Sequence, residues 1–241
     1  MSLIPSGIGR TAQFYLSGPL PCPYLPGQVE RKLFTRLTGA TEHDADVNSA
    51  LTRTGFRRSH DVVYRPACPS CQACVPVRVP SAQCAPGRTR RRIMRRNGDL
   101  RADLTAAAPD REQFALFLSY QQTRHGDSDM ARMTYPDYCM MVQEGGAAAQ
   151  LLTLRHTGDD TLCAVMLADR LQDGFSALYS FFAPANPQRS LGTQMVLNLI
   201  AAAAAENLPY VYLGYWIKTA RKMAYKGQFM PQQRLGPHGW E

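Results

Sequence analysis

Apolar and polar positions recur with two different periods in the second half of the chain. Between residues 111 and 124, Phe114, Phe117 and Leu118 share the spacing of one helical face, which predicts an α-helix. A second helix is predicted over 135–144, where two glycines follow it. Later segments alternate or run apolar between turn residues, which predicts strands over 149–156, 162–171 and 175–182.

A long apolar helix follows these strands and is predicted over 190–207, directly after the loop APANPQRSLG. It leads into a strand over 208–217, rich in aromatic and β-branched residues, and then into a basic helix over 218–226. Strands, a glycine loop, a long helix and a strand occur in this order in N-acetyltransferase-like folds. In such folds the loop and the helix N-terminus bind an anionic cofactor through unpaired backbone N–H groups, and Arg189 and Gly192 lie where that loop is expected.

The N-terminal part of the chain is less regular, and its first thirty residues contain many prolines and glycines, which predicts loops and short strands. Short helices are predicted over 31–37 and 45–54, and strands over 62–65 and 75–79. We therefore expect an α+β protein. A smaller cysteine-containing and basic region, 1–99, precedes an N-acetyltransferase-like domain, 100–241.

Three of the seven cysteines, Cys68, Cys71 and Cys74, have the spacing C-x-x-C-x-x-C. Two residues between cysteines allow a turn to aim both sulfurs at one point, and Cys22 in a turn-rich loop is a candidate fourth ligand. Three interpretations stay open. The thiols hold zinc or an iron–sulfur cluster, they are buried and unmetallated, or one of them is a nucleophile.

Basic residues outnumber acidic ones, with a net charge of +8, which favours an anionic partner such as nucleic acid. Six arginines lie between residues 88 and 96. Either they are a solvated, mobile face, or they bind nucleic-acid phosphates. The residues predicted to bind nucleic acid are Arg90, Arg91, Arg92, Arg95 and Arg96.

No segment has the roughly 18 consecutive apolar residues of a membrane span, so no membrane partner is expected. The first fourteen residues lack the basic-then-apolar order of a secretory signal. Both observations favour a cytoplasmic protein.

A series of motifs resembles the aminoacyl-tRNA–protein transferases. In chain order they are G-F-R-R-S at 55–59, Y-R-P-x-C at 64–68, the cysteine run that ends at Arg78, R-H at 124–125, R-S-L-G-T at 189–193, Y-L-G-Y-W-I at 212–217 and K-M-x-Y-K-x-x-F-x-P at 222–231. The length of the chain and the element C-x-Y-L-P at 22–26 are most similar to the short bacterial branch, the aspartate/glutamate leucyltransferases.

This resemblance implies transfer of leucine from leucyl-tRNA to proteins that begin with Asp or Glu, which marks them for N-end rule degradation. The partners are then charged tRNA and the acceptor proteins, and transfer requires no cofactor because the aminoacyl ester is already activated. The alternatives are transfer of arginine, as in the longer eukaryotic branch, and a non-enzymatic RNA-binding protein with a zinc knuckle.

Candidate site residues follow from the motifs and their chemistry. Asp169 ends an apolar strand, where it either accepts the amine proton or begins a turn. Tyr179 and Lys222 are the other catalytic candidates. The predicted substrate-binding residues are Arg57, Arg58, Arg78, Arg189, Gly192, Tyr212, Tyr215, Trp216, Tyr225 and Lys226. The aromatic residues of the 208–217 strand line the aminoacyl and adenosine site, or they belong to the core.

Overall fold

The structure is a computed structural model and describes residues 13–37 and 41–241. The loop predicted over the first twelve residues lies outside the described residues. The strands are β1 (Tyr15–Leu16), β2 (Leu20–Pro21), β3 (Val29–Glu30), β4 (Lys32–Arg36), β5 (Arg57–Ser59), β6 (Val62–Pro66), β7 (Val75–Pro80), β8 (Leu100–Ala106), β9 (Ala149–His156), β10 (Leu162–Leu171), β11 (Gly174–Phe182), β12 (Tyr210–Trp216), β13 (Gln233–Gly236) and β14 (Gly239–Trp240). The α-helices are α1 (Glu42–Arg53), α2 (Arg88–Arg96), α3 (Arg111–His125), α4 (Tyr135–Gln143), α5 (Leu191–Ala205) and α6 (Arg221–Ala224).

An eight-stranded sheet contains most of the strands, in the order β14-β13-β7-β12-β11-β10-β9-β8. β11 and β12 pair in parallel because α5 carries the chain from the end of one strand to the beginning of the other. The other neighbouring strands of this sheet pair antiparallel. A four-stranded sheet, β1-β4-β6-β5, and the β2–β3 pair lie earlier in the chain.

The two faces of the central sheet carry separate hydrophobic clusters, as β10 illustrates. Ala164, Met166 and Ala168 belong to the cluster that contains the apolar side of α5. Val165 and Leu167 belong to the cluster formed with α3 and α4. Side chains along a strand point alternately to opposite faces, so a run of apolar residues indicates a strand covered on both sides.

The parallel pairing of β11 with β12 is short. It extends only from Gly174, opposite Tyr210, to Ser176, opposite Tyr212. Both strands continue beyond this register without pairing to each other. The sheet therefore opens between them, next to the start of α5.

A bulge in β11 lies at the point where the strands diverge. Leu167 pairs with Tyr179 and Ala168 pairs with Ala177, so Leu178 has no partner on β10. Such a bulge bends the strand and redirects the groups beside it.

Most of the predicted elements are confirmed. The strands predicted over 149–156, 162–171 and 175–182 correspond to β9, β10 and β11, and the long helix after them is α5. The two short strands that flank the cysteine run are β6 and β7. The mixed α and β content is confirmed with them.

Several elements differ from the sequence prediction. The helix predicted over 31–37 is wrong, because this segment forms β4 and pairs along its length with β6. The run of arginines is the regular helix α2. β8 was not predicted, and neither were β13 and β14, which follow the strand predicted over 208–217; β13 pairs with β7. In place of the basic helix predicted over 218–226, the structure has the short helix α6, followed by a 3₁₀ helix over 225–228.

The division of the chain at residue 99 stays a prediction. β7 precedes that boundary and pairs with β12 and β13, which follow it. In the described part of the chain, no helix has both the length and the apolar character needed to cross a membrane.

A buried ion pair joins β5 to the central sheet. The Nε and Nη2 atoms of Arg58 donate to the two carboxylate oxygens of Asp169, each at 2.7 Å. Asn48 of α1 donates a third hydrogen bond to this carboxylate, at 2.8 Å. The Arg58 side chain is 3% exposed and that of Asp169 is 0% exposed, so each charge depends on the other for its compensation.

We expect Asp169→Asn to lower the free energy of unfolding by about 3 to 5 kcal/mol, because it leaves the buried guanidinium without a counter-charge. The matched control is Asp61→Asn, which breaks the exposed 2.8 Å pair with Arg36. This control should cost no more than about 1 kcal/mol. Equal losses for the two variants in urea denaturation would contradict the structural role of the buried pair.

Candidate active site

A cleft of about 860 Å³ opens where β11 and β12 diverge. Its lining combines cationic, aromatic and small residues from five parts of the fold: the 22–26 loop, β5, α3, β11 with the start of α5, and the segment after β12. They are Tyr24, Arg57, Tyr120, Arg124, His125, Leu178, Tyr179, Ser180, Phe182, Pro187, Ser190, Gly192, Thr193, Lys222, Met223, Tyr225 and Lys226.

The Arg57 guanidinium occupies the gap between the two strands. Its Nη2 donates to the carbonyl oxygen of Leu178, the bulged residue of β11. On the other side it lies against Gly214 of β12, which has a φ of +71° and where a Cβ would collide with Nη1. Nη1 is buried and has no hydrogen-bond partner among the described residues. β11 and β12 thus hold the guanidinium between them, and its charge lies at the closed end of the cleft.

Lys226 lies beside Arg57 and is only 6% exposed. Its Nζ donates to the carbonyl oxygen of Tyr215 at 2.9 Å. Burial, followed by the nearby Arg57 guanidinium, lowers the pKa of Lys226 to about 7. A substantial fraction of this amine is therefore neutral near pH 7 and can accept a proton.

Tyr179 provides a hydroxyl in the same cleft. The Nε2 of Gln121 donates to this hydroxyl at 2.7 Å. Burial raises the pKa of Tyr179 to about 12. The phenol therefore stays protonated at neutral pH, and its O–H remains a donor.

The first turn of α5 faces the cleft through Ser190, Gly192 and Thr193. Ser190 has a φ of +53°, and a Cβ at Gly192 would lie 3.1 Å from the Phe182 ring. Backbone N–H groups in a first helical turn lack partners within the helix and favour an anion. Arg124 and Lys222 line the same cleft, and no ion pair forms at either within the described residues. The arrangement suits a phosphate group.

Hydrogen bonds attach the loop before α5 to the C-terminal end of α2. Asn97 donates to the carbonyl oxygen of Arg189 at 2.8 Å, and Arg189 returns a 2.8 Å bond to the Asn97 side chain. Arg96 donates to the carbonyl oxygen of Gln188. Because Arg189 also pairs with Asp99, it holds the loop and does not line the cleft.

A second cavity, of about 400 Å³, contains the side chains of Cys22, Cys68, Cys71 and Cys74 in its lining. Burial, and then the neighbouring thiols, raise the pKa of Cys74 to about 11. This thiol stays protonated at neutral pH, which disfavours a role as nucleophile. Tyr24 lines both this cavity and the cleft, so the two spaces are adjacent.

The predicted metal site is not supported. Within residues 13–37 and 41–241, no group of three or more His, Cys, Asp or Glu side chains is arranged to hold a metal ion. The four thiols share one cavity, but zinc or an iron–sulfur cluster requires sulfurs that converge on the metal.

The structure brings about half of the predicted catalytic and substrate-binding residues together in the cleft. They are Arg57, Tyr179, Gly192, Lys222, Tyr225 and Lys226. Sequence motifs thus located the closed end of the cleft and the loop at its mouth.

Asp169 and Arg58 do not reach the cleft. Their ion pair lies in the interior, and the Asp169 side chain has no exposed surface that an incoming amine could contact. The structure therefore argues against Asp169 as the proton acceptor and assigns the pair to the interior. An apolar sequence around an aspartate is equally consistent with a paired, buried carboxylate.

The remaining predicted substrate-binding residues also lie outside the cleft. The Arg78 guanidinium stacks on Tyr210, 3.5 Å from the ring centre, and on Trp240 at 4.4 Å. The Tyr212 hydroxyl donates to Asp173 at 2.8 Å. Tyr215 lines the thiol cavity, and the partly buried Trp216 packs against the core.

Sequence reasoning missed several residues of the cleft. Tyr120 of α3 and Phe182, which ends β11, were not candidates, and Arg124 was noted only as part of the R-H motif, with no site role assigned. Tyr24 falls within the C-x-Y-L-P motif, but nothing in the motif indicated that it reaches the cleft. The i, i+4 spacing of Tyr120 and Arg124 was the available signal for a shared helix face.

Comparison with known proteins gives matches over almost the whole chain. A family model described as the C terminus of arginine-tRNA-protein transferase matches residues 112–236, and a model of its N terminus matches residues 20–92. An aspartate/glutamate leucyltransferase of Nitrobacter hamburgensis is 49% identical over 237 residues, which are 95% of this chain and 91% of the relative. The protein of the same description from Azorhizobium caulinodans is 48% identical over 96% of each chain.

One solved structure shares the fold at low sequence identity. It is the C-terminal domain, from Agrobacterium fabrum, of a protein described as a lysylphosphatidylglycerol synthetase. The two are 14% identical with a TM-score of 0.51, over 80% of this chain and 62% of the other, which is less than two thirds of its length. Together, the two family models and the relatives at nearly 50% identity show that this chain belongs to the aminoacyl-tRNA–protein transferases, in the branch of the aspartate/glutamate leucyltransferases.

Proposed function

We propose that the protein transfers leucine from leucyl-tRNA to the N-terminal Asp or Glu of acceptor proteins, which marks them for N-end rule degradation in the cytoplasm. The observation that carries this proposal is the Arg57 guanidinium beside the low-pKa amine of Lys226, at the closed end of a cationic cleft. The names of the relatives support leucine as the transferred group. The order of β9, β10 and β11, a loop, the long helix α5 with Gly192 in its first turn, and then β12 supports an N-acetyltransferase-like fold.

The reaction is aminolysis of an ester. The α-amine of the acceptor attacks the carbonyl carbon of the leucyl ester, and a tetrahedral intermediate with a negatively charged oxygen forms. The amine loses a proton, the carbon–oxygen bond breaks, and the ribose hydroxyl of the tRNA leaves with a proton. The ester is activated before it arrives, so the enzyme supplies orientation, oxyanion stabilisation and proton transfer.

Arg57 is suited to stabilise the oxyanion. The Nη2–Leu178 hydrogen bond and the contact with Gly214 hold its guanidinium in place before substrate arrives. Its positive charge can then stabilise an oxygen in the cleft that gains negative charge. A donor that is already oriented needs no reorganisation during the reaction.

Lys226 is suited to accept the amine proton, in place of Asp169. Its pKa of about 7 allows both the acceptance of a proton and its later release at neutral pH. Tyr179, which stays protonated, is positioned in the same cleft to donate a hydrogen bond to the leaving ribose oxygen.

The mouth of the cleft is suited to the 3′ end of tRNA. The first turn of α5, with Arg124 and Lys222, offers sites for the terminal phosphates. α2 continues this basic surface, since Arg91, Arg92 and Arg95 are exposed on it. The half-buried Arg90 instead stacks on Phe229, with its guanidinium carbon 4.9 Å from the ring centre.

The charge of the cleft also suits an acidic acceptor. Among the described residues that line it there are two arginines and two lysines but no Asp or Glu. A carboxylate side chain at the N-terminus of the acceptor therefore enters a cationic site, whereas a basic side chain would be repelled.

The direct test is incubation of the purified protein with radiolabelled leucyl-tRNA and a peptide that begins with Asp. We expect labelled peptide with an N-terminal leucine, without added coenzyme A. A peptide that begins with Lys is the matched control and should remain unlabelled. Acetyl transfer from acetyl-coenzyme A, without leucine transfer, would contradict the proposal.

Replacement of Lys226 by Met should reduce kcat by about 10²- to 10⁴-fold, the usual contribution of a positioned proton acceptor. In the wild type, kcat/KM should rise with pH through about 7 because Lys226 must be neutral. It should rise again near pH 8, where the acceptor amine, with a pKa of about 7.7 to 8.0, loses its proton. The variant should retain only the second rise, and a variant that still shows both would exclude Lys226 as the base.

Thermal denaturation controls for the folding of this variant. A lysine pKa lowered in the folded state means that the unfolded state binds more protons between pH 7 and 10, so the wild type loses stability as pH falls through this range. The Lys226→Met variant has no titrating amine at this position. The difference between its melting temperature and that of the wild type should therefore shift in favour of the variant as pH falls from 10 toward 7.

The triple variant Arg91→Gln, Arg92→Gln, Arg95→Gln should weaken tRNA binding and flatten its salt dependence. If each arginine contacts one phosphate, the slope of log K against log salt should decrease in magnitude by about 2 to 3. The control removes the same charge elsewhere, by Arg101→Gln, Arg132→Gln and Arg170→Gln. Identical slopes for both triple variants would show that α2 is a solvated face.

A further inference from the structure

A small side pocket of about 50 Å³ extends from the closed end of the cleft into the protein. Its floor consists of Met166, Ala177, Val196 and Leu213, contributed by β10, β11, α5 and β12. Met166, Val196 and Leu213 are members of the hydrophobic core, each no more than 4% exposed. The pocket exists because β11 and β12 separate directly above this part of the core.

The rim of the side pocket is formed by the same groups that are suited to act on the ester. Arg57, Tyr179 and Lys226 line both the pocket and the cleft. In an aminoacyl ester the side chain is attached to the carbon next to the carbonyl. Because these residues line both spaces, an ester carbonyl that lies against the Arg57 guanidinium places the amino-acid side chain near the entrance of this pocket.

The chemistry of the pocket selects against a charged side chain. No Asp or Glu occurs among the described residues that line it or the adjoining cleft. An arginyl side chain would lose its hydration without gaining a counter-charge, and it would approach the Arg57 guanidinium. For an aliphatic side chain, in contrast, transfer of its surface from water into the pocket is favourable.

We propose that Met166, Ala177, Val196 and Leu213 form the recognition pocket for the side chain of the transferred amino acid, and that this pocket selects leucine over arginine. This inference rests on the proposed function. The small volume makes the fit sensitive to single methyl groups, since one methylene in a hydrophobic pocket changes selectivity by about 10- to 200-fold.

The test measures selectivity as a ratio of donors on one enzyme preparation, so that a partly unfolded sample does not change the result. tRNA specific for leucine is acylated chemically with leucine, alanine, methionine or arginine, and kcat/KM is measured for each donor with the Asp-initiated peptide. In the wild type we expect leucine to exceed arginine by at least about 100-fold.

Ala177→Val narrows the floor of the pocket. It should lower the leucine-to-alanine ratio by at least about tenfold, because the isobutyl group no longer fits whereas a methyl group does. Val196→Ala enlarges the floor and should shift the ratio of methionine to leucine in favour of methionine by about tenfold.

Val211→Ala is the matched control for Val196→Ala. Val211 lies in the same core cluster and is 0% exposed, but it does not line the pocket. This control should lose stability like Val196→Ala and keep the wild-type donor ratios. If Ala177→Val does not fold, the comparison of Val196→Ala with Val211→Ala still tests the pocket assignment.

Two negative outcomes are distinguishable. Wild-type protein that transfers no leucine from leucyl-tRNA contradicts the proposed function, and the inference fails with it. Wild-type protein that transfers leucine, with donor ratios unchanged in both Ala177→Val and Val196→Ala, overturns the pocket assignment alone. Donor ratios that change equally in Val196→Ala and Val211→Ala also overturn it, because loosening of the core then explains the change.

Discussion

The short parallel pairing of β11 with β12 is the constraint on which the site depends. These strands share only the register from Gly174 to Ser176, and then separate. Their separation leaves the carbonyl oxygen of Leu178 free of a strand partner, and the Arg57 side chain binds it in the gap. The separation of β11 from β12 also opens the cleft and the side pocket that extends from it into the core. A fully paired sheet would have no room for either.

Two neighbouring arginines, the half-buried Arg57 and the buried Arg58, show how the smaller sheet is joined to this opening. Arg57 and Arg58 are adjacent in β5, so their side chains point to opposite sides of the strand. Arg58 is fixed by Asp169 in the interior, and Arg57 reaches the gap between β11 and β12. The buried ion pair therefore sets the register in which β5 presents the neighbouring guanidinium to the cleft.

Local sequence patterns were sufficient for the elements of the central sheet and for α5, because each has one strong period and clear turn residues. β4 was missed because its residues 32–36 have no strong strand pattern, and its strand conformation depends on pairing with β6, about thirty residues later.

The candidate site was located in part from the sequence, since the motifs contain Arg57, Gly192 and Lys226. The location of Asp169 was not predictable, because its partner Arg58 lies 111 residues away in the sequence. The four thiols line one cavity, yet the described residues contain no metal-binding arrangement, and this too depends on three-dimensional distances that spacing does not give.

The attachment of α2 to the loop before α5 has an energetic consequence for the donor. Arg96 and Asn97 hold the backbone of Gln188 and Arg189, and the chain enters the first turn of α5 immediately afterwards. Contacts that a nucleic acid makes on α2 therefore restrain the backbone that shapes the mouth of the cleft. Binding energy from a part of the donor that never reacts can thereby be spent on orienting the ester. A donor reduced to its terminal nucleoside would sacrifice turnover as well as affinity, so the body of the tRNA acts as a participant in the chemistry rather than as a carrier alone.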